Sequence, residues 1–145
     1  MRLLFALLVL SKLSLALPIE GLKDLNGNPA SLDHQKEKEL VIFWATWCPD
    51  CKNKLSGKLP EINGSADVAV ITINTDSSQS RAKHFVEKMN LKLPVFRDDS
   101  KDLRKTLKVF SVPHWAVYKK ENAKWRLVDS APAFEMDRIE KALKG

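Results

Sequence analysis

Apolar and polar positions fall into blocks along this chain, and the blocks differ in period. Residues 40–44 (Leu-Val-Ile-Phe-Trp) are continuously apolar and residues 68–73 nearly so, the pattern of short strands buried on both faces of a sheet. Between them, residues 49–59 carry spaced apolar positions and stop near Pro60, which predicts a helix. Ser78 is placed to cap a second helix running to about Met89, residues 94–97 read as a short strand, and Ser100 is placed to cap a helix through Leu107. Residues 115–119 and 125–129 alternate as two strands pairing around a turn at 121–123, and a last helix is predicted over 134–143. Ahead of all these, Asn26-Gly27-Asn28 is a turn signal inside 22–32, so that stretch is expected to form an N-terminal hairpin or an extended lead-in. Strands separated by helices imply βαβ units and a largely parallel sheet, which the closing hairpin makes mixed. The expected class is α/β, a central mixed β-sheet flanked by helices.

Composition changes this picture mainly at the N-terminus. The 145 residues, 44% of them hydrophobic, suffice for one domain with one core. Residues 1–16 pattern as a secretory signal, with Arg2 ahead of an apolar run at 3–10 and Ser14-Leu15-Ala16 as a small-x-small cleavage site. Lys12 ends the apolar run far short of the ~20 residues needed to cross a bilayer, so a cleaved signal (1–16) followed by a single domain (17–145) is expected, with no stable membrane span afterwards. No cysteine precedes Cys48 to carry a lipid anchor. Removal of Arg2 and Lys12 leaves 22 basic against 18 acidic side chains, so the net charge falls from +6 to +4. Lysines interleaved with acids on solvated helix faces serve solubility, and no nucleic-acid partner is expected. No Gly-rich phosphate loop, repeat or low-complexity linker is present.

The chemistry concentrates in Trp47-Cys48-Pro49-Asp50-Cys51, which holds the only two cysteines directly after the first apolar strand. If Pro49 opens a helix, Cys48 stands at its N-terminus, where unpaired N–H groups and the helix dipole favour a thiolate, the nucleophile of disulfide exchange. Cys51, one turn on, is then the resolving sulfur. Three other readings compete. A structural disulfide across so short a loop removes little unfolded-state entropy, roughly 2 kcal/mol. Zinc needs two more ligands, and His34, His84 and His114 show no paired spacing. Copper held by Cys48, Cys51 and one histidine suits soft thiolates and imidazole and stays open.

The segment Val41-Ile42-Phe43-Trp44-Ala45-Thr46-Trp47-Cys48-Pro49-Asp50-Cys51, followed about sixty residues later by Ser111-Val112-Pro113 and a strand, resembles thioredoxin-fold proteins. More narrowly it resembles the exported TlpA/ResA-type thiol-disulfide oxidoreductases of bacteria, which the lead-in Leu25-Asn26-Gly27-Asn28 and the extra strand and helix before Pro113 also fit. The resemblance implies a redox disulfide between Cys48 and Cys51 and a cis Val112-Pro113 bond facing it. It further implies that the backbone at Val112 pairs with a partner peptide. It implies protein thiols and disulfides as substrates, an upstream redox partner, no cofactor, a monomer, and a periplasmic or other extracytoplasmic location.

Departures from the family pattern matter as well. The buried acid that many thioredoxins carry six residues before the first cysteine is Ile42 here, and the glutamate often found three residues after the second is Lys54. The acid nearest in sequence is Asp50, whose charge opposes a Cys48 thiolate, while Lys52 and Lys54 would counter it or simply be solvated. His114, where a small hydroxyl residue is common, would tune Cys48, bind a metal or make an unrelated hydrogen bond. Trp47 reads either as a contact surface for a partner or as packing beside the first helix. Phe43, Trp44 and Trp115 read as core, and Trp125 as either. The expected activity is thiol-disulfide exchange, with the protein acting as a reductant. A thiol oxidant, a copper-binding maturation protein and a peptide-binding module with an incidental disulfide are the alternatives.

Overall fold

The computed structural model describes residue 19 and residues 21–32 and 36–145. The signal-like segment and His34 lie outside the described residues. Six strands, β1 (Lys23–Asp24), β2 (Lys38–Trp44), β3 (Val68–Asn74), β4 (Val95–Arg97), β5 (His114–Glu121) and β6 (Lys124–Pro132), form one sheet in the order β1-β4-β3-β2-β5-β6. The central strand β2 runs parallel to β3, and β3 parallel to β4. The hairpin of β5 and β6 adds antiparallel to the other side of β2. This is the mixed sheet that the block pattern implies.

β2 is buried on both faces, and the alternation of its side chains divides the core in two. Leu40, Ile42 and Trp44 pack with Trp115, Val117 and the helices α1 (Pro49–Ser56), α2 (Lys58–Asn63), α3 (Gln79–Lys88) and α5 (Met136–Lys144). Val41 and Phe43 face the other way, toward Ala116, Tyr118, Phe96 and α4 (Asp102–Thr106). Right-handed crossovers from β2 to β3 and from β3 to β4 move in one direction along the sheet, which puts α1, α2 and α3 on the same face. Return from β4 to β5 leaves α4 on the opposite face.

Local differences from the sequence expectations have physical causes. The first helix breaks at Gly57 and restarts, so Pro60 lies inside the first turn of α2, where its missing N–H would be unpaired in any case. Ser78 caps α3 as expected, its hydroxyl accepting from the Arg81 N–H at 3.3 Å. The N-cap position of α4 is the left-handed Lys101 and not Ser100, whose hydroxyl nonetheless accepts the Asp102 N–H at 3.3 Å, while Asp98 Oδ2 accepts the Arg104 N–H at 2.9 Å. At the lead-in, Asp24 Oδ1 accepts the N–H groups of Asn26 and Asn28, and Gly27 takes the positive φ that the turn requires. A single bridge from Lys23 to Pro29 closes that turn, and β1 (Lys23–Asp24) then pairs with β4 at the sheet edge.

Candidate active site

The carboxyl end of β2 delivers the chain into a turn, with the Cys48 N–H donating to the Ala45 carbonyl at 3.2 Å, and α1 begins at Pro49. Cys48 is the N-cap of α1 in extended conformation, and its sulfur accepts the Cys51 N–H at 3.3 Å. Pro49 at the first helical position gives up no hydrogen bond there. The two cysteines form a disulfide with their Cα atoms 5.3 Å apart. Both belong to the core cluster that includes Trp44, Leu55 and Trp115. Cys48 keeps 4% of its surface exposed and Cys51 none. Cys48 is therefore the less buried of the two, and Cys51 is sealed within the core.

A polar network that the sequence reading did not identify anchors this loop. Asp76, just beyond the end of β3 and 4% exposed, accepts from the Thr46 N–H at 2.9 Å and the Thr46 hydroxyl at 2.8 Å. Asn74 Nδ2 donates to the same carboxylate at 2.6 Å, and the Arg97 guanidinium donates to Asn74 Oδ1 at 3.2 Å. Thr75 adds its N–H to the Trp44 carbonyl at 2.8 Å. The loop preceding Cys48 is thus bolted to the carboxyl ends of β3 and β4. The visible signal is Asn74-Thr75-Asp76 directly after an apolar strand, since polar groups at the carboxyl ends of parallel strands are where α/β folds place their sites.

Val112-Pro113 is cis, as the resemblance implies, and lies where β5 begins. Phe43 of β2 is in register with His114, so this bond sits at the same end of the sheet as the Cys48 turn. Val112 packs against the cluster that contains both cysteines.

His114 is not available to the sulfurs. It shares its sheet face with Ala116 and Tyr118, opposite α1, with its ring edge-on to Phe43 and its Nε2 2.9 Å from the Ser130 hydroxyl. Burial lowers its pKa from the ordinary histidine value. The reading in which His114 tunes Cys48 or binds metal is corrected accordingly, because strand alternation turns the ring away. Among the described residues no group of three or more His, Cys, Asp or Glu side chains is placed to hold a metal ion, and His84 is exposed on α3. The copper reading therefore lacks a third ligand among the described residues.

Trp47 is 67% exposed beside Cys48, which corrects its reading as packing and leaves the contact-surface one. Phe43, Trp44 and Trp115 are fully buried, and Trp125 packs partly buried against the second cluster. Asp50 is exposed in the first turn of α1. Lys54, half-buried one turn beyond Cys51, has no side-chain bond among the described residues, and Lys52 lies 5.7 Å from the centre of the Phe85 ring.

Ile42 is buried and apolar where a proton acceptor is common, and a buried acid occurs instead three residues earlier. Glu39, 2% exposed, opposes Tyr118 on the face away from the cysteines, and desolvation pushes its pKa up to about 8. Its position on that face keeps it out of proton exchange with Cys51.

Comparison with known sequences places this site in a family. The profile of the AhpC/TSA family matches residues 15–123, three quarters of the chain and the whole stretch from the lead-in through the CxxC to Pro113. The chain belongs to the AhpC/TSA family. Among AhpC/TSA-like relatives, the thiol-disulfide oxidoreductase ResA of Bacillus thuringiensis is 32% identical over 97 residues, 62% of this chain and 54% of that protein. The sporulation thiol-disulfide oxidoreductase A of Bacillus subtilis is 25% identical over 97 residues, 63% of this chain and 59% of that protein. The chain thus spans little more than half the length of these curated relatives. The crystal structure of the exposed lipoprotein thioredoxin of Streptococcus pneumoniae superposes with a TM-score of 0.69 at 30% identity, covering 85% of this chain and 96% of that one. The fold of this AhpC/TSA member is thioredoxin-like.

Proposed function

We propose that this chain is a thiol-disulfide oxidoreductase that reduces disulfides of exported proteins through Cys48 and Cys51. The observation that carries the reading is the asymmetry of the pair, a cysteine at a helix N-cap that keeps a little exposure backed by a fully buried one. In the reduced protein, the Cys48 thiolate attacks one sulfur of a partner disulfide; a Cys48–partner bond forms, the partner's S–S bond breaks, and the partner's other sulfur leaves as a thiolate. The Cys51 thiolate then attacks Cys48 Sγ, expelling the second partner thiolate and closing the Cys48–Cys51 disulfide. Two electrons pass to the partner, and an upstream dithiol restores the reduced pair by the reverse exchange.

Asp50 beside Cys48 opposes its thiolate, which supports a reductant over an oxidant. Residues 1–16 supply the secretory signal and residues 17–145 the working domain, and the charged n-region, apolar run and small-x-small site support that division. No helix among the described residues is long and apolar enough to cross a membrane. The test is polarity. Limiting iodoacetamide on the reduced protein is expected to label Cys48, and Cys51→Ala to trap mixed disulfides with partners while Cys48→Ala traps none. Preferential labelling of Cys51, or equal trapping, would defeat the assignment. Equilibration with glutathione then fixes direction: a potential near that of the strong oxidants, about −120 mV, excludes the reductant role.

A further inference from the structure

The loop that leads into Val112-Pro113 carries an exposed aromatic set among cations. Phe110 is 90% exposed, and it borders a groove of about 350 Å³ whose other walls are Lys101, Arg104, Lys105, Lys108 and Val109. The presentation is built in. Lys108 takes a left-handed φ of 54°, a conformation that costs an L side chain roughly 1–2 kcal/mol, and the turn it makes is tied to α4 by the Val109 N–H donating to the Arg104 carbonyl at 2.9 Å. Val109 itself is buried in the second core cluster, so Phe110 projects from a fixed base.

The charges around it are unbalanced. Asp98 is occupied by the Ser100 hydroxyl and the Arg104 N–H, and Asp99 by Arg97. None of the four cationic side chains lining the groove has an ion pair or hydrogen bond among the described residues, and Asp102 in the first turn of α4 is the nearby acid left over. A mild net excess over the chain thus becomes a local cluster, five to twelve residues ahead of the cis-proline Pro113.

We infer that this groove binds an acidic flank of the disulfide-bearing partner, with an apolar partner residue against Phe110 and carboxylates over Lys101, Arg104, Lys105 and Lys108. The inference rests on the oxidoreductase reading and names its substrate class. The geometry follows from the fold. Carboxyl ends of β2, β3 and β4 and the start of β5 share one end of the sheet, so the groove lies at the same end as Cys48, with α4 and α1 on opposite faces. An extended peptide pairing at Val112 advances about 3.3 Å per residue, which carries its neighbours onto Phe110 within two positions and over the lysines shortly after. Opposite charge across such a surface speeds encounter and selects partners more than it adds resting affinity. Trp47, exposed and adjacent to Cys48 in the chain, offers the partner's cysteine a further apolar contact.

The test uses three cysteine peptides of equal length, flanked by glutamates, glutamines or lysines, each as its mixed disulfide with thionitrobenzoate. Reduced protein cleaves that bond through Cys48, releasing one thiolate, and Cys51 releases the other as the Cys48–Cys51 disulfide closes; the coloured thiolate reports the rate. At low ionic strength the acidic peptide is expected to react about tenfold faster than the basic one, with the ratio falling toward one as salt is added. The triple variant Lys101→Glu, Lys105→Glu, Lys108→Glu is expected to invert the order. The salt titration on the parent protein needs no variant to fold. Equal rates for all three peptides overturn the docking surface and leave the oxidoreductase reading standing. Release from none of them overturns the oxidoreductase reading and this inference with it. Equal rates together with sedimentation on phosphatidylglycerol vesicles, lost in the triple variant, would assign the cluster to a membrane surface instead and overturn the peptide proposal.

Discussion

Glu39→Gln is expected to stabilise the protein increasingly as pH rises. The carboxyl lies on the central strand, 2% exposed, and its pKa stands at about 8 against an ordinary 4.5. Desolvation is the cause, and among the described residues no cation pairs with Glu39. Tyr118, in register across the strand pair, carries a phenol pushed up to about 12, chiefly by burial and then by the Glu39 charge. Because the folded state holds the Glu39 proton more tightly than the unfolded chain does, stability contributed by this group is full below pH 4.5 and is lost as pH rises toward about 8. At about 1.4 kcal/mol per unit, folding is disfavoured on the order of 3 kcal/mol at neutral pH relative to acid, and by somewhat more above pH 8. Glutamine keeps the shape and removes the titration. Urea unfolding of the oxidised parent and variant across pH 4 to 9, with unchanged m values, gives the difference directly. The two should be nearly equal in acid and diverge steadily to a plateau near pH 8, while disulfide exchange stays unaltered because the group faces away from Cys48. A difference independent of pH would refute the reasoning.

Asp76→Ala is expected to cost about 2 kcal/mol of stability, since it strips three hydrogen bonds from a buried carboxylate, and to slow disulfide exchange by freeing the Thr46 loop. Urea unfolding of the oxidised variant and its rate on a model disulfide check both, and an unchanged rate would confine Asp76 to a structural role. Lys54→Glu is expected to slow alkylation of the reduced pair about twofold near neutral pH by disfavouring the thiolate. An unchanged pH–rate profile would return Lys54 to the solvated surface.

The alternation of apolar runs with spaced apolar patterns fixed the class of fold, because period 2 and period 3.6 are local properties that any stretch reveals by itself. The helix start at Pro49, the Ser78 cap and the β5–β6 hairpin were legible for the same reason. The CxxC was legible too, since its chemistry needs only two sulfurs one helical turn apart. What the chain order hid was the side of the sheet each residue faces relative to distant partners. His114 and Trp115 are adjacent, yet one lies against Phe43 and the other in the cluster with the cysteines, and only strand register decides which. Glu39 looks like an ordinary surface acid at the start of a strand until β3 and β5 close on both sides of it. Likewise Thr46 and Asp76 lie thirty residues apart, and their bonds exist because two parallel strands end side by side. Tertiary structure decided these because burial and hydrogen-bond partners depend on what packs across an element, which no local pattern records.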